Sequence, residues 1–367
     1  MTLRVGIISA NWGALAHLPA WRALPGVAVT AICTAHRETA EAAAERFNVE
    51  RPFWDAQAMC ADPDLDIIDC GTRPVLRHAM VLAAFANGKH VYNGIPFAAN
   101  IDHARDMRDA WKASGKVGVV DALSQWLPQL RQMRAMLDGH YLGTPFGGSI
   151  RFNLCLYNPP MPGFPWNWFS EGGQGVSAVR NLGSHALHML HYLFGGIDEV
   201  VADDRMLLRQ WELADGETMT PENNDFANAL LRLKNGMVFQ FQIGWNSTVP
   251  EGLVLEAFGS DGRFVATSPT FPTSQDCVLR AARRGEQLAE VAMPDRFRAQ
   301  QGIGIDSTCP VPPAFPMALA MQSMVEAING KGEATPDFEQ AWQVERVQEA
   351  IRLASADRRW VRIDEIS

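Results

Sequence analysis

The sequence predicts an α/β protein in two parts: an N-terminal doubly wound parallel sheet, then an α+β domain with a large, mostly antiparallel open-faced sheet. Two observations carry this expectation. In the first third, short apolar runs alternate with helix-length amphipathic stretches, which implies right-handed crossovers and parallel strands. From about Val200 the hydrophobic period turns to two, and turn residues separate the runs, which implies hairpins.

The elements follow in chain order. Strand-like runs stand at residues 4–8, 27–33, 67–70, 90–92 and 117–120, with helix-like stretches at 14–24, 37–47, 75–87 and 101–114 between them. The strands read as near-continuous apolar runs, as expected when helices cover both faces. A further helix, 127–137, ends at Asp138-Gly139. A strand at 147–156, a Pro- and Trp-rich loop at 157–169 and a helix at 183–194 come next. Lys234-Asn235-Gly236 joins runs 226–233 and 237–244, and Gly259-Ser260-Asp261-Gly262 joins 253–258 and 263–267. Residues 316–329 and 338–354 read as amphipathic helices, free to pack back on the first domain. The expected domains are 1–122 and 123–367.

Composition bounds the function classes. Of 367 residues, 47% are hydrophobic and 20% charged, an ordinary soluble composition with ample core. A net charge of -9 argues against a nucleic-acid surface, which would show a basic domain or stripe. The six cysteines form no CxxC pair and no zinc spacing, so buried free thiols and no metal are expected. No run approaches the roughly 18 apolar residues of a membrane span. The chain opens on a strand without a charged-then-apolar leader, so a cytoplasmic protein is expected.

The first strand runs into a turn and a helix, which is where a dinucleotide pyrophosphate docks and where glycines permit close backbone approach. Here the three glycine positions read Ser9, Asn11 and Ala14, with Trp12 and Gly13 between them. These residues are small, and Asn tolerates left-handed backbone, so the turn can still form. The second strand ends Cys33-Thr34-Ala35-His36-Arg37. A neutral Thr34 followed by His36 and Arg37 suits the 2′-phosphate of NADP better than the ribose of NAD, with NAD left open. The plain alternative is that Arg37 is a solvated residue opening the next helix.

Several stretches together resemble the Gfo/Idh/MocA family of NAD(P)-dependent oxidoreductases. They are Gly6-Ile7-Ile8 to His17-Leu18-Pro19-Ala20, Thr72-Arg73-Pro74, Gly88-Lys89-His90-Val91-Tyr92, Gly172-Gly173, and Asn181-Leu182-Gly183-Ser184-His185-Ala186-Leu187-His188. The resemblance implies a Rossmann domain. It implies dinucleotide contacts from Ser9, Asn11, Trp12, Gly13, Thr34, His36, Arg37, Thr72, Arg73, Pro74 and Asn93. Residues 33–40 and 123–143 look most like the branch that includes the galactose-regulon repressor. In the family, a Glu-Lys-Pro signature supplies a lysine that relays a proton to the reacting oxygen. Here that stretch reads Gly94-Ile95-Pro96. Two acidic positions of the second-domain motif read Asn181 and His188, and His185 alone is kept.

Hydride transfer to a carbonyl needs a proton donor beside the developing alkoxide. Asn181, His185 and His188 stand at i, i+4 and i+7, one face of a regular helix. His185 is the candidate acid/base, since an imidazole titrates near neutrality. Asn181 would orient it, and His188 would supply a second imidazole or be a buried helix residue. Trp126, Tyr157, Phe164, Trp166, Trp168 and Phe169 are candidate substrate-stacking rings, or else packing residues. Asp121, after the last parallel strand, is polar and without an assigned role. The leading expectation is an NADP(H)- or NAD(H)-dependent oxidoreductase of a sugar-like or cyclic alcohol or ketone, in a homodimer or homotetramer. The alternatives are a lyase, isomerase or hydrolase with bound NAD, and an inactive dinucleotide-binding regulator.

Overall fold

The computed structural model describes residues 2–162 and 166–367. Phe164 lies outside the described residues. The chain divides into two compact units. The first takes residues up to Trp126 together with Arg298–Trp342, and the second takes Leu127–Phe297 and Gln343–Ser367.

The first unit opens with β1 (Leu3–Ile8), a π-helical turn (Gly13–His17) and α1 (Leu18–Arg22). It continues through β2 (Val27–Cys33), α2 (Arg37–Phe47), β3 (Arg51–Phe53), α3 (Ala56–Ala61), β4 (Ile67–Cys70), α4 (Pro74–Ala86), β5 (His90–Asn93), α5 (Ile101–Ser114) and β6 (Gly118–Val120). The six strands run parallel in the order β3-β2-β1-β4-β5-β6. Strand order reverses between β1 and β4, and in open parallel sheets ligands bind at that switch point, outside the carboxyl ends. Local chemistry sets the helix ends. Asp55 Oδ1 accepts from the Gln57 and Ala58 amides to start α3, and Asn100 Oδ1 accepts from His103 to start α5. Left-handed Asn48 and Gly115 end α2 and α5.

The two faces of this sheet differ in kind. Ile68, Cys70 and Val91 join an apolar core with Val81, Phe85, Met107 and Phe338. The alternate residues of the same strands include Asp69 and Tyr92, which are adjacent in register and both wholly buried.

The second unit contains α6 (Pro128–Asp138), β7 (Pro145–Asn153), a π-helical turn (Val179–Gly183), α7 (Ser184–Phe194), β8 (Ile197–Arg205), a ribbon of β9 (Trp211–Glu212) and β10 (Thr218–Met219), β11 (Phe226–Leu233), β12 (Val238–Gly244), β13 (Gly252–Gly259), β14 (Gly262–Ser268), β15 (Val278–Arg283) and β16 (Ala289–Glu290). A short α8 (Asp295–Arg298), then α9 (Ala314–Ile328), α10 (Phe338–Asp357) and β17 (Val361–Arg362) complete the chain. The nine-stranded order is β16-β15-β14-β13-β7-β12-β11-β8-β17. Only the β7–β12 pairing is parallel among these described strands. β11 and β12 alternate as their period-two sequence requires. Leu231, Phe239, Phe241 and Ile243 are buried, while Leu230 and Val238 are exposed on the other face.

Three elements differ from the sequence expectation in type or bounds. The 14–24 helix is a π turn followed by a short α-helix, because Pro19 has no N–H to give to the Leu15 carbonyl and Leu18 donates back to Gly13 instead. The 183–194 helix is preceded by another π turn, in which Gly183 donates to the Ala178 carbonyl at 3.0 Å. The strand expected at 147–156 runs Pro145–Asn153.

Candidate functional site

In the first unit, the candidate dinucleotide residues gather on the loops at the carboxyl ends of the parallel strands. The turn after β1 is held locally: Ser9 Oγ accepts from the Asn11 amide at 3.1 Å, and the Asn11 carbonyl accepts from the Leu15 amide at 2.8 Å. The close approach expected of the motif's glycines falls on Gly13. A Cβ there would meet Ile7 Cγ2 at 2.9 Å and Ser9 Cβ at 3.1 Å. Gly71, which directly follows β4, packs against it: a Cβ on Gly71 would come 3.1 Å from Gly13 Cα and 3.2 Å from Gly13 N. Two backbones therefore meet with no side chain between them, a cradle that suits the close approach of a dinucleotide.

The neighbouring loops supply the remaining candidates. Thr72 is half-buried and Arg73 exposed. Arg73 precedes α4 in extended backbone, as a pre-proline residue must, and Pro74 opens the helix. Asn93 ends β5 and is wholly buried. Its Nδ2 donates to the Phe97 carbonyl at 2.9 Å, while its Oδ1 has no partner among the described residues. At the end of β2, Thr34 Oγ1 lies 2.6 Å from Thr39 Oγ1 and donates to the His36 carbonyl. His36 and Arg37 are exposed. Arg37 Nε donates to Glu41 at 2.7 Å, and its guanidinium carbon stands 5.2 Å from the centre of the Trp54 ring.

The loop after β5 carries Ile95, which packs against the apolar core. Beneath it lies a residue the sequence reading passed over. Arg77 of α4 is 1% exposed, donates to the Pro96 carbonyl and occupies the space a Cβ on Gly94 would need. A glycine before Ile95 thus serves a buried guanidinium.

A second overlooked feature is a charged cluster in the interior of this unit. His17, in the first π turn, bonds through Nδ1 to Asp69 Oδ1 at 2.9 Å and through Nε2 to Asp121 Oδ2 at 3.1 Å. Trp21 Nε1 donates to Asp69 Oδ2 at 2.7 Å. Tyr92 Oη donates to Asp121 Oδ1 at 3.0 Å, and Trp12 Nε1 donates to Asp121 Oδ2 at 3.1 Å. Burial alone would lower the His17 pKa, but the two flanking carboxylates outweigh it and raise the imidazole to about 10. Asp69 was detectable in the sequence: an acidic residue inside an otherwise apolar buried strand demands partners. Trp126 is also in this unit, half-buried, with Nε1 donating to the Thr335 carbonyl at 3.3 Å.

In the second unit, α7 places His185 and His188 one turn apart. His185 is 7% exposed and meets the Phe271 ring edge-to-face at 5.0 Å. His188 is wholly buried. Burial first, then His191 and His185, hold its pKa well below the ordinary value, so it stays neutral. Asn181 falls inside the π turn and is half-buried. An i→i+5 turn takes more residues per revolution than an α turn. The i, i+4, i+7 facing therefore holds between His185 and His188 and does not extend regularly to Asn181.

The aromatic loop is largely internal to this unit. Tyr157 is 2% exposed, stacks on Trp211 at 4.0 Å and donates its hydroxyl to the Trp166 carbonyl. Trp166 and Trp168 are half-buried and both pack on Phe169, which meets Trp245 at 5.5 Å. Among the described residues, no group of three or more His, Cys, Asp or Glu side chains is placed to hold a metal ion, and no helix is long and apolar enough to cross a membrane.

A parallel sheet with a backbone cradle at its switch point, followed by an open, mostly antiparallel sheet, defines a two-domain protein of the dinucleotide-binding class. Comparison with known families agrees. Residues 3–122 match the oxidoreductase family with an NAD-binding Rossmann fold, and residues 130–265 match the GFO/IDH/MocA C-terminal domain. The chain belongs to the Gfo/Idh/MocA family of oxidoreductases. Among curated relatives, a D-apiose dehydrogenase of Paraburkholderia graminis is 32% identical over 51% of this chain and 48% of its own length, so the match spans about half of that protein. A levoglucosan dehydrogenase of Pseudarthrobacter phenanthrenivorans is 24% identical over 100% of this chain and 99% of its own. A solved levoglucosan dehydrogenase in complex with NADH and L-sorbose superposes with a TM-score of 0.89 at 22% identity, covering 100% of both chains, which shows a common fold.

Proposed function

We propose that this protein is an NAD(P)(H)-dependent oxidoreductase that interconverts a secondary alcohol and a ketone on a sugar-like or cyclic polyol. The Gly13–Gly71 backbone contact at the switch point is the observation that carries the cofactor half of this reading. The names of relatives that act on apiose and levoglucosan support the substrate class. With a dinucleotide held at the cradle by its pyrophosphate, its nicotinamide would accept or supply the hydride. The chain's own work is then to hold the dinucleotide with Ser9, Asn11, Trp12, Gly13, Thr72, Arg73, Pro74 and Asn93, and to manage one proton.

Ile95, at the position that resembles the family's signature lysine, has no group that exchanges a proton. His185 is the proposed acid/base. Alcohol oxidation gives up one proton from the hydroxyl, and the imidazole takes it; reduction returns it. His188, held neutral and wholly buried, supports α7 and transfers no proton in this scheme. Asn181 is proposed to orient the substrate or His185. Trp166 and Trp168 are half-buried and are the proposed sugar-stacking rings, whereas the Tyr157 ring is packed on Trp211.

Thr34, His36 and Arg37 favour NADP(H), because no carboxylate ends β2 and a guanidinium stands at the next helix start. The test is nicotinamide absorbance with both dinucleotides and a panel of aldoses, anhydrosugars and inositols. Turnover with at least one polyol is expected. Tight cofactor binding with no turnover on any of them would count against the substrate class.

A further inference from the structure

We propose that the buried cluster of Asp69, His17 and Asp121 is the positioning element of the dinucleotide turn, acting through the indole of Trp12. This rests on the reading of the Ser9–Gly13 turn as the cofactor cradle, and it goes beyond that reading by assigning the residues that set the turn's geometry.

In a dinucleotide turn rich in glycine, the backbone reaches its conformation because no Cβ obstructs it. This turn has Ser9 and Asn11 at two of those positions and needs other restraints. Locally it has the Ser9 Oγ and Asn11 carbonyl bonds already described. A side-chain bond also ties it to a distant part of the chain: Trp12 Nε1 donates to Asp121 Oδ2, across 109 positions of sequence. Trp12 directly precedes Gly13, whose backbone meets Gly71, so a shift of the indole moves the cradle itself.

Asp121 is a firm anchor for physical reasons. It is 2% exposed, and its two oxygens take side-chain bonds from Trp12, His17 and Tyr92. Its own amide donates to the Asn93 carbonyl at 2.8 Å, which fixes it to the end of β5. His17 ties it to Asp69 in β4, and Asp69 is fixed in turn by Trp21 of α1. The cluster therefore joins the first π turn, α1, β4, β5 and the end of β6 at the carboxyl edge of the sheet. A buried, fully bonded polar network of this kind has one low-energy arrangement, which is what a positioning element requires. The π turn is part of the device: it brings His17 inward to zero exposure at the point where Pro19 prevents a regular helix.

The experiment measures dissociation constants for NADH and NADPH, by nicotinamide fluorescence, on the full chain and on Trp12→Phe, Asp121→Asn and the double variant. Tyr92→Phe, which removes one other donor to Asp121, serves as a second probe of the anchor should Asp121→Asn not fold. Each single change is expected to weaken dinucleotide binding about tenfold, the size of one lost bond to a charged acceptor. The double variant is expected to be no weaker than the worse single, since both act through one link. Folded variants that bind as wild type does, or single effects that multiply in the double, would overturn the proposal and leave the cluster as core alone. If wild type binds neither dinucleotide, the cradle reading and this inference fall together.

Discussion

The indole nitrogen of Trp12 donates to Asp121 Oδ2 at 3.1 Å, joining the turn after the first parallel strand to the residue after the last. On the same oxygen, His17 Nε2 is also 3.1 Å away. One buried carboxylate thus serves a surface-facing turn and an interior imidazole at once. Two carboxylates and one imidazole share this site, and each depends on the others for its charge to be tolerated in the buried interior.

His17→Leu is therefore expected to destabilise the protein severely. It would leave Asp69 and Asp121 facing each other with no cation between them. Breaking a buried pair by removing one partner costs about 3–5 kcal/mol. His17→Gln keeps hydrogen-bonding capacity and should cost less. Urea unfolding measures both; a His17→Leu unfolding free energy within about 1 kcal/mol of wild type would show that the cluster does not hold the fold.

The same cluster predicts an alkaline weakness. The folded His17 pKa is raised to about 10 from an ordinary value of 6.5. The stabilisation linked to that shift is complete below about pH 6.5 and is lost as pH rises toward 10. Cysteine and tyrosine ionisation also weakens the fold at high pH, so the informative quantity is a difference. The stability gap between wild type and His17→Gln should narrow steadily from pH 7 to pH 10. A gap that stays constant over that range is the adverse result.

How far the sequence showed all this depends on the interaction involved. Helices 37–47 and 101–114 are legible to the residue, because their apolar spacing is regular and their ends carry Asn48, Asn100 and Gly115. Strand β3 is three residues long with Pro52 at its centre, and α3 has only six residues, so neither leaves a period to read. The π turns leave no period either. They displace Asn181 from the face it would share with His185, and they turn His17 inward. The Gly13–Gly71 contact is a meeting of residues far apart in sequence, and no local pattern announces it. The candidate loops were legible from resemblance; what holds them showed only as Asp121, a polar residue without an assigned role, while Asp69 went unread inside an apolar strand.

His185→Gln tests the chemistry directly. Loss of a general acid/base costs typically 10²–10⁴-fold in turnover, about the range expected here. Dinucleotide affinity should stay within about twofold, since His185 is proposed to act on the substrate. His188→Gln should instead lower stability and leave most turnover, because that imidazole is buried and neutral. The reverse pattern, with His188 essential and His185 dispensable, would move the proton chemistry one turn along α7.

Arg37→Gln separates the two cofactors. Arg37 is exposed and paired with Glu41, so its loss should cost the fold almost nothing. If it meets a 2′-phosphate, NADPH binding should weaken about tenfold or more while NADH binding is unchanged. Equal affinities for the two dinucleotides in wild type, unaltered by the substitution, would make Arg37 the solvated helix-opening residue and remove the preference for NADP(H).

Gly71→Ala probes the cradle through its close backbone contact with Gly13. The new methyl would stand 3.1 Å from Gly13 Cα and 3.2 Å from Gly13 N, both backbone atoms that cannot rotate aside. Either the β4–α4 loop or the β1 turn must retreat by a few tenths of an ångström. Overpacking of this kind costs typically 1–3 kcal/mol, and here it falls on the surface proposed to meet the pyrophosphate. Dinucleotide affinity should therefore fall more than stability does, measured as the dissociation constant for NADH beside the urea midpoint. Gly26→Ala is the control: that glycine also lies in the first unit, has open space around its Cβ position and a positive φ of 72°, so it should lose stability alone. If Gly71→Ala behaves like Gly26→Ala, with binding intact, the close backbone contact is a packing feature of the sheet edge and the dinucleotide must be held elsewhere.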